Sequence, residues 1–396
     1  MALACWLAAT VTAIVAAPDL AAGRPLDSAP VLAVHLVTLG LLPFAVSGAS
    51  FHLLPVMLRN DLPSQRALWF ALLLLGGGLL VASGLGRSAE PAVWAGAALV
   101  ACGLGIVLAE VLMLVARAPR GRALIASRLG VGLSCVHVVA ALCLGAVIFS
   151  KDAPFAGISY GRWLLIHLHV ALLGWIALLI ITVGRNLGPM LAQAPAAAPR
   201  ARPLDELALT AGLWLLLAGI ATESRPLTLA GAVVVVLTLG RFSKLVIRTA
   251  RMRRGPLEAP LVHMLVGGVF LAQAAGFGLA IAAGADSVHM VCGYVVLLLV
   301  GWAGGVVLGH IGKLLSLSVW VWWPPGPRPK QAELYPRTLG LAAAAAFAVG
   351  VESLAIGAFT DLPTLARAGA GVLCGSALLS IAGAALTWQR RSREST

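Results

Sequence analysis

The chain has 396 residues, 60% hydrophobic and only 11% charged, with a formal net charge of +13. Soluble domains carry about a quarter charged residues, so this composition excludes a soluble enzyme or nucleic-acid-binding module and indicates a polytopic membrane protein. The six cysteines (Cys5, Cys102, Cys135, Cys143, Cys292, Cys374) lie in or beside apolar segments without Cys-x-x-Cys spacing, which argues against a disulfide framework or a zinc finger.

Apolar segments of spanning length occur at about 1–17, 31–57, 67–85, 92–116, 123–149, 163–191, 205–221, 227–247, 259–284, 287–316, 338–360 and 364–388. They predict an all-α bundle of about twelve transmembrane helices in one domain, residues 1–396. The first segment has no positive leader, and Ala16-Ala17-Pro18 also reads as a processing site, so a retained helix and a signal sequence both stay open; we expect a helix. The linkers are short apart from Gln193–Pro203 and Trp323–Pro336, and neither can bury a core of its own. Trp320, Trp322 and Trp323 form an expected interfacial aromatic belt.

Basic residues test the span count. With the N-terminus inside, all of the 28 except Arg24, Arg87, Lys151, Arg162, Arg225 and Arg367 fall in the even-numbered connections or the C-terminal tail. Cytoplasmic loops collect Lys and Arg, so both termini are predicted cytoplasmic. Arginine, alanine and glycine are abundant and lysine occurs only at 151, 244, 313 and 330, which points to a GC-rich bacterial source and an inner-membrane location. The lipid bilayer is the expected partner, with no nucleic acid.

The second, sixth and tenth spans share a pattern. His35 is followed by Gly40 and Pro55, and His169 by Gly174 and Pro189, at the same offsets of five and twenty. In the tenth span His289 precedes Gly293, whereas Gly301-Trp302 matches Gly174-Trp175; the two anchors imply different registers. Val136-His137 and Val262-His263 precede the sixth and tenth spans. A repeat every four helices follows (1–116, 123–247, 259–388), with a pseudo-threefold axis as the expectation.

His35, His167, His169 and His289 all fall near the outer ends of their spans by this topology. His167 and His169 are two residues apart, roughly 200° around a helix, so one helix serves two neighbouring sites. Ionisable groups inside a bilayer are costly and mark function, and neutral imidazole ligates haem iron or copper. The expected pairs are His35 with His169 and His167 with His289, as cofactor or metal ligands. His52, His263 and His310 fall near the cytoplasmic ends, where snorkelling or capping accounts for His52 and His310. Glu110 and Glu352 fit either proton paths or helix contacts, and Arg185 and Asn186 are expected at lipid headgroups.

These features resemble the haem–copper oxidase superfamily: subunit I and relatives such as nitric oxide reductase large subunits and NnrS-like proteins. The resemblance covers most of the chain in layout but only short motifs in residues. In that family a histidine on the second helix and a His-x-His on a later one ligate two haems; His35 matches the first and His167-Leu168-His169, with its Leu-Leu-Gly-Trp continuation, is similar to the second. Gly309-His310-Ile311-Gly312-Lys313 is similar to a Gly-His-Thr-Gly motif of NnrS-like proteins. The resemblance implies haem binding, a role in electron transport or NO/O2-related respiratory metabolism, and a redox partner or second respiratory subunit. The family's His-x-His stands on the tenth helix, and here it is on the sixth. The family's copper site needs a sixth-helix histidine and a seventh-helix His-His pair, but Leu204–Ala221 contains no histidine, and the sixth-helix tyrosine has no match. Copper and turnover as an oxidase are therefore unsupported. A transporter or metal-handling protein, and a cofactor-free scaffold or assembly relative, are the alternative readings.

Overall fold

The computed structural model describes residues 1–61, 66–119, 121–150, 157–194 and 203–393. The basic residues Arg120, Lys151, Arg200 and Arg202, and most of the Gln193–Pro203 linker, lie outside these. The described residues form helices and connecting turns with no strand.

Twelve long helices follow one another: α1 (Ala2–Ala21), α2 (Ser28–Leu58), α3 (Ala67–Arg87), α4 (Glu90–Arg117), α5 (Arg122–Phe149), α6 (Tyr160–Leu191), α7 (Leu204–Ala221), α8 (Arg225–Arg251), α9 (Ala259–Ala282), α10 (Val288–Val321), α11 (Arg337–Phe359) and α12 (Pro363–Arg393). Eleven are long and apolar enough to cross a membrane; the remaining one, α3, contributes a shorter apolar stretch, Trp69–Leu85. Helices are the expected solution because each satisfies its backbone hydrogen bonds internally, which an apolar medium demands. The chain enters α1 directly and continues helical through Pro18, with Ala16 and Ala17 fully buried, so the Ala-Ala-Pro sequence lies inside a packed helix.

Helix contacts recur every four helices. Within each group the first helix packs on the third-from-last: α1 on α2, α5 on α6, α9 on α10; the last two pair as hairpins, α3 with α4, α7 with α8, α11 with α12. The groups join through α4 with α5, α8 with α9, and α12 with α1, which closes the ring. At the centre α2, α6 and α10 touch one another pairwise. Helix α10 is the most enclosed, with 83% of its apolar window buried against 56% in α6 and 39% in α2.

Each central helix changes winding at a corresponding place. A π-helical segment begins directly after His35 in α2 (Leu36–Leu41), after His169 in α6 (Val170–Ala177) and after Val295 in α10 (Val296–Gly304). Such segments add a residue per turn and occur frequently at functional sites. Each carries a glycine that accepts a bulky neighbour from the helix before it. A Cβ on Gly40 would stand 2.7 Å from the Cys5 Cβ, one on Gly174 2.5 Å from the His137 ring, and one on Gly301 2.7 Å from the Phe270 ring. The counterpart of His137 is therefore Phe270. His263, despite its matching Val-His dipeptide, lies seven residues earlier, about two turns toward the face where α9 begins.

Candidate functional site: paired rings between the central helices

The registers of the three central helices explain which ring meets which. His35 and His169 occupy the same repeat position, and Gly301-Trp302 places Val296 there in α10. Two residues earlier stand Ala33, His167 and Tyr294. Under a cyclic arrangement the first position of one helix faces the second position of the next, so equivalent residues do not face each other. The contact of His169 with Tyr294 follows this rule.

His35 and His167 stand on the neighbouring central helices α2 and α6. His35 belongs to the last turn of the regular helix ahead of its π segment, and its Nδ1–H donates to the Val31 carbonyl at 2.7 Å, which leaves the lone pair on Nε2. The His167 ring lies against α5, with its Cε1 3.3 Å from the position of a Cβ on Gly145 and the Ala141 backbone nearby. Its Nδ1 is buried and meets no group in hydrogen-bonding geometry.

His169 turns the other way, to α10. Its Nδ1–H donates to the Leu165 carbonyl at 2.7 Å, and the Tyr294 hydroxyl donates to its Nε2 at 3.1 Å with the rings stacked 5.9 Å apart. His169 Nε2 thus meets the Tyr294 hydroxyl of α10 and not His35. The reason is the roughly 200° between residues two apart on a helix, combined with the cyclic order of the three helices.

His289 does not join this layer. It is the second residue of α10, held at the helix mouth where Ser287 caps the backbone N–H of Met290 at 3.2 Å. Its Nδ1 stands 3.3 Å from the Ala358 carbonyl and its ring beside Gly23 in the α1–α2 turn. Its described contacts do not include His167. Sequence reasoning missed Tyr294, although the Gly-Trp register contained the signal: Tyr294 precedes Val296 as His167 precedes His169.

Among the described residues no three His, Cys, Asp or Glu side chains gather closely enough to hold a metal ion. What the layer offers is pairs of rings. Neutral imidazoles with Nδ1–H anchored to a carbonyl are the form that ligates iron through Nε2. His35 has that form with no competing partner, whereas the Nε2 of His169 is already occupied by Tyr294. His167, the remaining imidazole of the layer on α6, makes no side-chain hydrogen bond among the described residues.

An apolar cavity of about 100 Å³ adjoins the second pair, bounded by α6, α7, α8, α9 and α10, with His169 and Tyr294 in its wall. At the other end of the bundle, where the chain termini lie, charges are paired. Arg185 is not at the headgroups: its side chain is 5% exposed and forks onto the fully buried Glu206 at 2.5 and 3.1 Å. Asn186 donates to the Thr182 carbonyl at 2.6 Å. Lys313, of the Gly-His-Ile-Gly-Lys segment, is 1% exposed and bonds Glu258 at 2.6 Å, while His310 Nδ1 bonds the Val306 carbonyl at 2.8 Å. Glu110 is buried with Arg66 3.6 Å away and neither carboxylate oxygen hydrogen-bonded, and Glu352 accepts from Gln273 at 3.2 Å. All six cysteines are free thiols.

No protein-family model matches the chain, and no curated protein sequence matches it.

Proposed function

We propose that this is a divergent haem–copper-oxidase-like, NnrS-like protein of the bacterial cytoplasmic membrane that binds haem between α2 and α6, without a complete copper centre. The observation that carries the reading is the placement of His35 and His167 on two neighbouring central helices, with His35 held as the Nε2 ligand tautomer by its bond to the Val31 carbonyl. Two axial imidazoles from separate helices can hold a haem between them. The four-helix recurrence of contacts and the π segments at the ring pairs support the same assignment. Haem in this position serves electron transfer or the handling of NO or O2, and requires an external redox partner. The basic connections lie on the cytoplasmic side.

The experiment is an absorption spectrum of the detergent-purified chain, made with ample haem supply, with and without dithionite. A Soret band with low-spin features is expected, lost in His35→Ala and in His167→Ala and kept in His169→Ala. No Soret band, or a spectrum indifferent to both of the first two substitutions, overturns the reading. Loss with His35→Ala and His169→Ala but not His167→Ala would restore the pairing read from the repeat.

A further inference from the structure

The outward face of α8 changes character once along its length. Leu229, Val233 and Leu237 are exposed on it at four-residue spacing, and the exposed Arg241, Lys244, Arg248 and Arg251 continue the same face at spacings of three, four and three. On a regular helix all seven lie within about 120° of one another. The other side of the basic stretch is packed: Thr249 is buried, and the Phe242 ring stands 2.8 Å from the position of a Cβ on Gly184 in α6. The four cations therefore ride on a fixed helix, spread over about 15 Å of it. The protein itself does not neutralise them. Asp205 takes Arg241 at 3.0 Å but is shared with Arg185 at 3.6 Å, and Glu258 is committed to Lys313. Among the described residues Lys244, Arg248 and Arg251 form no ion pair. The helix dipole favours cations in the last turn, which covers Arg248 and Arg251 but not Arg241 and Lys244. A preference for basic residues on one side of a membrane does not gather them on one face of a helix.

We infer that this face of α8 binds an anionic phospholipid, with the phosphate on the basic stripe and the acyl chains along Leu229, Val233 and Leu237. The guanidinium and ammonium groups supply charge-assisted hydrogen bonds to phosphate oxygens. Their apolar stems lie along the boundary between headgroup and hydrocarbon, and the three aliphatic side chains give the acyl chains a wall on the same face. An acidic protein segment meets the same charges but has no use for an apolar face that runs on into the bilayer. Continuity of the two halves selects the lipid. The inference is independent of haem, because none of these residues belongs to the ring pairs of the central helices.

Lipid titration of the full chain in detergent, followed by native mass spectrometry, tests it. The probe is dioleoyl phosphatidylglycerol, and the control is dioleoyl phosphatidylcholine, which has the same chains and no net charge. The wild type should bind phosphatidylglycerol in preference, and less tightly as ionic strength rises. Lys244→Gln, Arg248→Gln and Arg251→Gln combined should weaken that binding by at least about tenfold. Lys244→Gln with Arg248→Gln makes the same test where the triple variant fails to fold. Arg328→Gln with Lys330→Gln, which removes two exposed charges from the α10–α11 connection, should leave it unchanged, and Leu237→Gln should weaken it with no change of charge. Equal binding of the two lipids, a charge variant that binds as the wild type does, or equal loss in the α10–α11 control overturns the inference. Glycerol phosphate has the headgroup chemistry without the chains; competition by it at a concentration equal to the lipid's assigns the stripe to free anions or acidic segments and also overturns it. The Soret measurement is read separately, so failure of one leaves the other standing.

Discussion

Tyr294 gives its hydroxyl hydrogen to His169 Nε2 at 3.1 Å, and in the repeat register His167 and His35 hold the positions that correspond to Tyr294 and His169. The same two repeat positions thus carry two imidazoles on α2 and α6, and imidazole and phenol on α6 and α10. The third pair by register, Val296 and Ala33, has no polar side chain. The three interfaces are related in position and distinct in what they can bind.

Tyr294→Phe leaves the buried His169 nitrogen without its donor. Interhelical hydrogen bonds in membranes contribute roughly 1 kcal/mol, and an orphaned buried acceptor adds to the loss. A fall in stability of about 1–2 kcal/mol is expected, read as a lower melting temperature in detergent. His169→Phe combined with Tyr294→Phe should recover part of it. A double variant as unstable as the sum of the singles would show that the two rings are not coupled.

The fork between Arg185 and Glu206 holds α6 to α7, with Asp205 3.6 Å from the guanidinium and Arg241 3.0 Å from Asp205. Glu206→Ala strands a buried guanidinium and should cost about 3–5 kcal/mol. Arg185→Met with Glu206→Leu removes both charges and should restore most of the stability. Denaturation of the two variants in parallel decides whether the pair holds the helices or merely tolerates burial.

Gly174 sits where α5 crosses α6, and a methyl there would meet the His137 ring. Gly174→Ala is expected to destabilise by about 1–3 kcal/mol through overpacking. Adding His137→Ala should make the two changes less than additive in thermal melts, because the smaller side chain removes the clash.

Tyr335, between α10 and α11, is enclosed by Gly312, Gly340 and Gly383 from three helices. Burial pushes its hydroxyl above the ordinary tyrosine value. The folded state therefore holds the phenolic proton more tightly than the unfolded chain does, and its contribution is complete below the unfolded value of about 10 and lost as pH rises through the folded one. Stability measured between neutral and strongly alkaline pH should fall less steeply in Tyr335→Phe than in the wild type; identical slopes would remove Tyr335 from the alkaline transition.

The amino-acid sequence determined the helical class and the approximate spans, because an apolar medium leaves no other way to satisfy the backbone over some twenty residues. Its spacing of His35, Gly40 and Pro55 against His169, Gly174 and Pro189 also marked the central helices at which the π segments occur. It did not determine facing. Helices that are apolar on every side carry no polar stripe to show which face turns inward, and like positions in a repeat invite a pairing that cyclic packing forbids. Only the tertiary structure set His169 toward Tyr294, placed His289 at the mouth of α10, and drew Arg185 inward to Glu206. These outcomes depend on the rotation of each helix about its own axis, which is decided by packing at glycine crossings such as Gly174 on His137 and not by any local preference of the chain.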